Sequence, residues 1–252
     1  MIYKVSETKL DSLNLSRHQQ QEVSLDECNY QGVIVKKPWG YEYLFFQNEF
    51  VGVWLLFIRE GQSTSMHSHP NKKSSLIVLS GEIVAYTLGM LFKLKSLDGL
   101  LIDKSVFHCS KAGSDSSAVI MEVESPPVKR DIVRLKDIYG RAGRGYEGSE
   151  SMTSDLDGYN YHCIDDLAFK THTTLNVVDK KVTLSKISDR DALVSHINSN
   201  LGSVVVLLAG IIRDDKGNEI LGVGDAVSVD EIAEYITGNI SLDDQLICLM
   251  VS

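Results

Sequence analysis

The sequence lacks several features that would assign it to common classes of protein. No apolar run approaches the roughly 20 residues that a membrane-spanning helix needs. The start of the chain has no basic block followed by an apolar block, as a signal peptide would. The four cysteines form no CxxC pair, which argues against a zinc knuckle or a disulfide framework. We therefore expect a cytoplasmic protein with reduced thiols and no membrane partner.

Positive charge is also scarce. The chain has 25 lysine and arginine residues against 34 aspartate and glutamate residues, which gives a net charge of −9. This balance argues against nucleic-acid binding, because the phosphate backbone requires a basic face. With 252 residues, of which 43% are hydrophobic, the chain can bury a substantial core in one large or two modest domains.

Short runs rich in Val, Ile, Leu, Phe and Tyr begin at Val33 and alternate with Gly, Ser, Asp and Asn turns. Many short strands with regular turns predict a β-sandwich or a β-barrel, and helical periodicity is weak in this half. Residues 1–30 are polar, which predicts an N-terminal arm that packs on a neighbour or is partly mobile. Residues 140–160 are polar and glycine-rich, which predicts a linker.

An internal repeat divides the rest of the chain. Shifted by 129 residues, the segment 53–81 aligns with 182–210 without a gap. After a two-residue slip the offset becomes 127, which aligns Asp98 with Asp225 and then Val119-Ile120 with Leu246-Ile247. The repeat predicts an all-β protein of two tandem barrels, one spanning 31–139 and the other 161–252.

Three histidines have the spacing of a metal site. His67 and His69 are at positions i and i+2 of a predicted strand, so their imidazoles point to the same face. His108 follows a strand and a turn further along the chain. Because imidazole is a common ligand of transition metals, His67 and His69 are candidate metal ligands, with His108 as a third candidate.

These residues resemble the two motifs of the cupin superfamily. Gly61, five further residues, H-x-H, the later Gly81 and a second motif ending at His108 carry the resemblance. Within the superfamily, KPWGYEY and GQSTSMHSH resemble the type II mannose-6-phosphate isomerases and related sugar-biosynthesis cupins. The resemblance places His108 beside His67 and His69, so it implies one divalent ion (Zn, Fe, Mn, Ni or Co) held by His67, His69 and His108. It implies that both barrels are jelly rolls. It also implies that the second is degenerate, since the histidine positions there hold His196, Asn198 and Tyr235.

The sequence departs from the cupin pattern at one metal-ligand position. The pattern has a glutamate seven residues before the glycine, and this chain has Ser74 there. Three neutral imidazoles with open coordination positions would remain, which is typical of a catalytic site rather than a sealed structural one.

The resemblance to sugar isomerases also suggests residues for chemistry and binding. An isomerase needs a general base near the carbon-bound proton, while the metal polarises the substrate oxygens. The candidate bases are Glu82, Glu122 and Lys73. Since Glu122 alternates with apolar residues on its strand, we expect it to point outwards into solvent. The candidates for substrate binding are Arg130 and Arg134, for a phosphate, and Tyr41, for stacking on a sugar.

Three functions remain open from the sequence. The first is a metal-dependent isomerase or epimerase-like enzyme that acts on a sugar or sugar phosphate in carbohydrate or surface-glycan synthesis. The second is a three-histidine iron(II) dioxygenase. The third is a non-catalytic sugar-binding or assembly module, which the missing glutamate favours. For all three we expect a homodimer, because exposed sheet edges must be covered.

Overall fold

The structure is a computed structural model that describes residues 1–18, 29–166, 171–236, 238, 240–243 and 245–252. Within these residues the chain forms 21 strands and three α-helices, so the prediction of an all-β fold is confirmed. No described helix is both long enough and apolar enough to span a bilayer.

The first half forms two sheets. Its strands are β1 (Ile2–Val5), β2 (Ile34–Lys37), β3 (Gly40–Gln47), β4 (Gly52–Ile58), β5 (Met66–Ser68), β6 (Lys73–Ser80), β7 (Glu82–Thr87), β8 (Leu91–Lys95), β9 (Gly99–Ile102), β10 (His108–Ala112), β11 (Ala118–Ser125), β12 (Val133–Lys136) and β13 (Met152–Thr153), with helix α1 (Lys9–Arg17) after β1. The large sheet has the order β1-β9-β6-β11-β4-β3-β2-β13, and the small sheet has the order β12-β5-β10-β7-β8.

The second half forms two further sheets and two helices. Its elements are β14 (His172–Val177), β15 (Lys180–Ile187), α2 (Arg190–Asn198), β16 (Val204–Ala209), β17 (Ile212–Asp214), β18 (Glu219–Leu221), β19 (Ala226–Ser228), α3 (Val229–Ile236), β20 (Ile240–Leu242) and β21 (Leu246–Val251). The large sheet has the order β14-β15-β21-β16-β19, and the small sheet has the order β18-β17-β20.

Strand order is the same in the two halves. The order β9-β6-β11-β4-β3 of the first large sheet matches β19-β16-β21-β15-β14 of the second, and β10-β7-β8 matches β20-β17-β18. A register shift skips Leu79 in the first copy and Leu208 in the second, and these two positions are related by the first offset of the repeat. The prediction of two tandem jelly rolls, the second degenerate, is therefore confirmed.

The same turn precedes β9 and β19. Asp98 accepts a hydrogen bond from the backbone N–H of Lys95 (3.1 Å), and Asp225 accepts one from the N–H of Gly222 (2.9 Å). This equivalence confirms the offset of 127 for that part of the repeat.

The alignment of the last strand, however, is wrong by one residue. Ala118 pairs with Ile58, whereas Leu246 pairs with Ile187, so β11 and β21 are related by an offset of 128. A slip of one residue exchanges the two faces of a strand. With the corrected register, Glu122 corresponds to Met250, and both side chains point into their barrels.

The two large sheets pack face to face and form the core between the halves. This core contains Phe45, Leu55 and Met121 from the first half, together with Leu184 and Leu249 from the second. Each barrel also has its own interior cluster. The central strand β11 is therefore covered on both faces, by the second half on one side and by the first barrel's interior on the other.

The two segments predicted as arm and linker lie largely against the first barrel. Strand β1 pairs in parallel with β9, and Asp11 of α1 accepts the backbone N–H of Phe107 (3.0 Å). Residues 19–28 of the predicted arm lie outside the described residues. Within the predicted linker, β13 pairs with β2, and the hydroxyl of Tyr146 donates to Glu42.

Candidate metal centre

The three predicted ligands lie together inside the first barrel. His67 of β5 and His108 of β10 are direct partners on adjacent strands, and His69 follows β5 by one residue. One ring nitrogen from each histidine lies within 4.8 Å of those of the other two. His69 and His108 are buried, and His67 is partly buried.

Hydrogen bonds orient all three rings in the same way. The Nδ1 atoms contact backbone carbonyls, those of Ser65 for His67 (2.8 Å), Asp131 for His69 (2.6 Å) and Val106 for His108 (3.0 Å). A carbonyl only accepts, so each Nδ1 carries the proton and each Nε2 presents a lone pair. The Nε2 atoms of His69 and His108 are buried without a hydrogen-bond partner. Carbonyl-oriented imidazoles with free Nε2 atoms fit a metal ion.

The surroundings also keep these rings neutral, as metal ligation requires. Burial lowers the pKa of His67 and His69 well below the usual range, and it lowers the pKa of His108 to about 4. The ammonium group of Lys72 adds to this effect on all three rings.

The position of the missing glutamate is buried. Ser74 is 1% exposed, its hydroxyl has no hydrogen-bond partner, and it pairs across the sheet with Glu124. No carboxylate therefore reaches the histidines from this position.

A carboxylate approaches the histidines from β11 instead. Oε1 of Glu122 lies 3.8 Å from Nε2 of His69, and Glu122 is only 6% exposed. The expectation that Glu122 points into solvent is wrong. The apolar residues on either side of Glu122 pack against the second half, so the opposite face of β11, which carries Glu122, points into the barrel. Burial raises the pKa of Glu122 above its ordinary value.

Behind Glu122, the barrel contains a network of buried ion pairs. Glu124 contacts the ammonium groups of Lys72 (2.8 Å) and Lys129 (2.9 Å), and Lys129 also approaches Glu42 (3.4 Å). Burial alone would raise the pKa of Glu42, but Lys129 and Lys37 outweigh it and lower that pKa to about 2. Pairing of this kind is what allows charges to be buried.

Sequence reasoning missed this network. The available signal was the pair Glu122-x-Glu124, since carboxylates at i and i+2 share one face of a strand.

Cationic side chains close the mouth of the site. Arg134 of β12 lies opposite His67 in register and is 4% exposed. Arg134, Arg141 and Tyr146 line the same cavity as His67 and Glu122, and the volume of this cavity is about 50 Å³. Sites that enclose small organic ligands usually measure several hundred Å³. The cavity is therefore too small in this conformation to enclose a sugar.

The other predicted site residues lie elsewhere. The ammonium group of Lys73 pairs with Asp225 of the second half (2.7 Å), and Glu82 is exposed at the start of β7. Tyr41 stacks on Phe57, with 4.5 Å between ring centroids, on the face that packs against the second half. Arg130 is exposed. The structure thus brings Glu122 and Arg134 together with the three histidines. The other four predicted site residues lie away from this group: Lys73, Glu82, Tyr41 and Arg130.

In the second barrel a helix has replaced the H-x-H strand. Helix α2 lies between β15 and β16, where the first barrel has β5 between β4 and β6. His196 belongs to this helix, and Tyr235 is an exposed residue of α3. Among the described residues, the three histidines of the first barrel form the one group able to hold a metal ion.

Comparison with known proteins finds only distant structural likenesses. No family model and no curated protein matches the sequence. The capsular polysaccharide assembling protein CapF of Staphylococcus aureus is 16% identical, with 41% of this chain and 34% of that chain covered and a TM-score of 0.38. A protein of Klebsiella pneumoniae with a double-stranded β-helix domain is 18% identical, with 38% of this chain and 79% of that chain covered and a TM-score of 0.35.

A third similar structure is a cupin protein of Bacteroides fragilis, which is 20% identical over 31% of this chain and 66% of that chain, with a TM-score of 0.30. This chain spans about a third of the capsular protein. At these identities and TM-scores the likenesses carry no argument about activity. On its own strand order and histidine geometry, the chain has two tandem jelly rolls, the first with a three-histidine group able to bind a metal ion.

Proposed function

We propose that the protein is a metal-dependent enzyme that moves a proton within a sugar or sugar phosphate, as an isomerase or epimerase does. The observation that carries the proposal is the convergence of three neutral imidazoles and the Glu122 carboxyl group on one closed cavity. Bound by the histidines, a divalent ion would polarise the oxygens of a carbonyl or hydroxyl group.

Glu122 is the proton-transfer group of this proposal. A carboxyl group whose pKa is raised by burial both accepts and releases a proton more readily near neutral pH than an exposed one. The ammonium group of Lys129, 3.7 Å from Oε2, helps to fix the orientation of Glu122. Arg134, on the strand beside His67, would bind the anionic group of the substrate.

The proposal also includes a homodimer in the cytoplasm. Met90 and Leu91 are exposed where β8, an edge strand of the small sheet, begins. A second copy could cover them there. Light scattering at micromolar concentration tests the dimer, and a monomer would contradict it.

The chemistry is tested by proton exchange. Protein reconstituted with Zn, Fe, Mn, Ni or Co is incubated with a panel of aldose and ketose phosphates in D₂O, and deuterium incorporation next to the carbonyl carbon is followed by NMR. We expect exchange with the wild type and with the control Glu82→Gln, and a loss of at least about 100-fold with Glu122→Gln at unchanged metal content. Absence of exchange in the whole panel would contradict the proposal.

A second candidate is a three-histidine iron(II) dioxygenase. The buried serine at position 74 favours it, because three neutral ligands leave open positions for both oxygen and substrate. Oxygen uptake by the iron-loaded protein, absent from the zinc-loaded protein, would identify this activity. Sugar binding with neither exchange nor oxygen uptake would identify a non-catalytic module.

A further inference from the structure

Three cationic side chains converge on a single carboxylate at the mouth of the first barrel. Glu147 accepts hydrogen bonds from Arg141 Nη1 (2.6 Å), from Arg134 Nη2 (3.1 and 3.2 Å to its two oxygens) and from the ammonium group of Lys37. The side chains of Lys37, Arg134 and Glu147 are each less than 10% exposed. Three donors around one carboxylate are the contacts expected around a bound oxyanion.

This cluster adjoins the candidate metal centre. Arg134 and Arg141 line the cavity that also contains His67, His69 and Glu122. A molecule bound to the histidines could therefore place an anionic group among the cations, provided that Glu147 moves away.

The three cations differ in their other partners. Lys37 also approaches Glu42 (3.3 Å), and Arg141 also pairs with Asp137 (2.8 Å). Among the described residues, Glu147 is the only carboxylate found to contact Arg134. The guanidinium group of Arg134 also donates hydrogen bonds to the backbone carbonyls of Arg144 and Gly145. Its Nε is buried without a partner. Withdrawal of Glu147 would thus leave one buried guanidinium that needs an anion.

The segment that carries Glu147 is irregular and contains two glycines at which its backbone angles can change. Residues 139–148 form no helix or strand. Gly140 and Gly143 have φ values of +79° and +71°, and nothing lies within 4 Å of either Cβ position. Glycines in open surroundings can absorb large changes in backbone angles. Since the closed cavity is too small for a sugar, entry of a substrate requires such a change.

We propose that Glu147 occupies, in the closed form, the binding position of an oxyanion of the ligand. When residues 144–148 move away about Gly143, Glu147 leaves, and Lys37, Arg134 and Arg141, which Asp137 holds in place, receive a phosphate monoester or a carboxylate. This inference extends the proposed function by naming an anion subsite and its internal competitor.

The inference is tested on metal-free protein, so that its outcome does not depend on the histidines. Isothermal titration with inorganic phosphate is compared for wild type, Glu147→Gln and the control Glu150→Gln, which alters an exposed carboxylate of the neighbouring turn. We expect Glu147→Gln to bind phosphate at least tenfold more tightly than the other two proteins. Adding Arg134→Gln to Glu147→Gln should abolish the gain. A parallel titration with acetate distinguishes a carboxylate site, at which acetate shows the same gain, from a phosphate site, at which it does not.

A milder variant guards against misfolding. Glu147→Asp keeps the charge but draws it back from the cations by one methylene, so a smaller gain in phosphate affinity is expected. Phosphate should also raise the melting temperature of Glu147→Gln more than that of the wild type. If both variants are folded by circular dichroism and bind phosphate no better than the wild type, Glu147 is a structural ion-pair partner and the inference is overturned. Failure of proton exchange alone would leave this result unchanged and would count only against the proposed function.

Discussion

The interior of the first barrel contains Glu42, Glu122 and Glu124 with their lysine partners. Among the described residues, the interior of the second is built from apolar side chains and the hydroxyls of Thr183, Ser185 and Ser203. Both barrels keep the same strand order, the same register shift and the same aspartate turn. Turns and apolar strands therefore suffice for the fold, and the charged interior of the first barrel needs another explanation.

We attribute this charged interior to the candidate metal centre that it surrounds. Buried ion pairs add little net stability compared with apolar packing, so a network of them beside three histidines indicates a functional demand. The second barrel, where a helix stands in place of the H-x-H strand, has no group able to hold a metal in the part of the chain that the structure describes. The following predictions test this contrast.

The largest effect is expected from Glu124→Leu. The change leaves Lys72 buried without its carboxylate and takes one partner from Lys129, so the free energy of unfolding should fall by about 3–5 kcal/mol. Urea denaturation followed by tryptophan fluorescence measures the loss in the first half, which contains both tryptophans of the chain.

Two controls sharpen this prediction. Adding Lys72→Met to Glu124→Leu should recover part of the loss, because it removes the unpaired charge. Ser185→Ala in the second barrel, which removes a buried hydroxyl 3.1 Å from His172 Nδ1, should cost only about 1 kcal/mol. Equal losses for Glu124→Leu and Ser185→Ala would show that the two interiors do not differ as described.

Acid should destabilise the first barrel before the second. Because Lys129 and Lys37 hold the pKa of Glu42 at about 2 in the folded protein, against an ordinary value of 4.5, the carboxylate stabilises the fold above pH 4.5. This contribution, about 3 kcal/mol, is lost as the pH falls from 4.5 towards 2. Hydrogen exchange of β6 and β11 compared with β16 and β21 measures the order of opening. A Glu42→Gln variant with an unchanged pH dependence would contradict the assignment.

The sequence allowed the barrels, the histidines and the equivalence of Asp98 and Asp225 to be predicted, because each depends on local spacing or on a repeat. The orientation of Glu122 could not be predicted in the same way. Alternation shows that a strand has two faces, but it does not show that the apolar face covers a second domain and that the polar face lines a barrel. Likewise, Lys73 and Tyr41 are close to the motif in sequence, yet the packing of the two halves turns them away from the histidines.

Removing a histidine should have opposite consequences in the two barrels. His67→Ala takes away one of three ligands, so metal affinity should fall by at least about 100-fold, since even outer-shell changes cost 10- to 100-fold. His196→Ala should leave metal content unchanged, because α2 holds this histidine away from the group. Elemental analysis and titration with zinc measure both proteins. Zinc binding by His67→Ala with the affinity of the wild type would show that the ion binds elsewhere.

The smallest expected effect comes from restoring the carboxylate that the cupin pattern has at position 74. In Ser74→Glu two influences oppose each other. The new carboxylate adds a negative charge and a ligand close to the cation, but it pairs across the sheet with Glu124. Since Lys72 and Lys129 already neutralise Glu124, attraction to the metal should prevail, and affinity should rise by about tenfold. The matched control is Ser203→Glu, one repeat offset along the chain, where a buried serine stands in a barrel without the histidines. This control should bind no metal in the second barrel. If zinc titration shows unchanged or weaker affinity for Ser74→Glu, the carboxylate has paired with a lysine, and the charged interior outweighs the metal in setting the chemistry of this site.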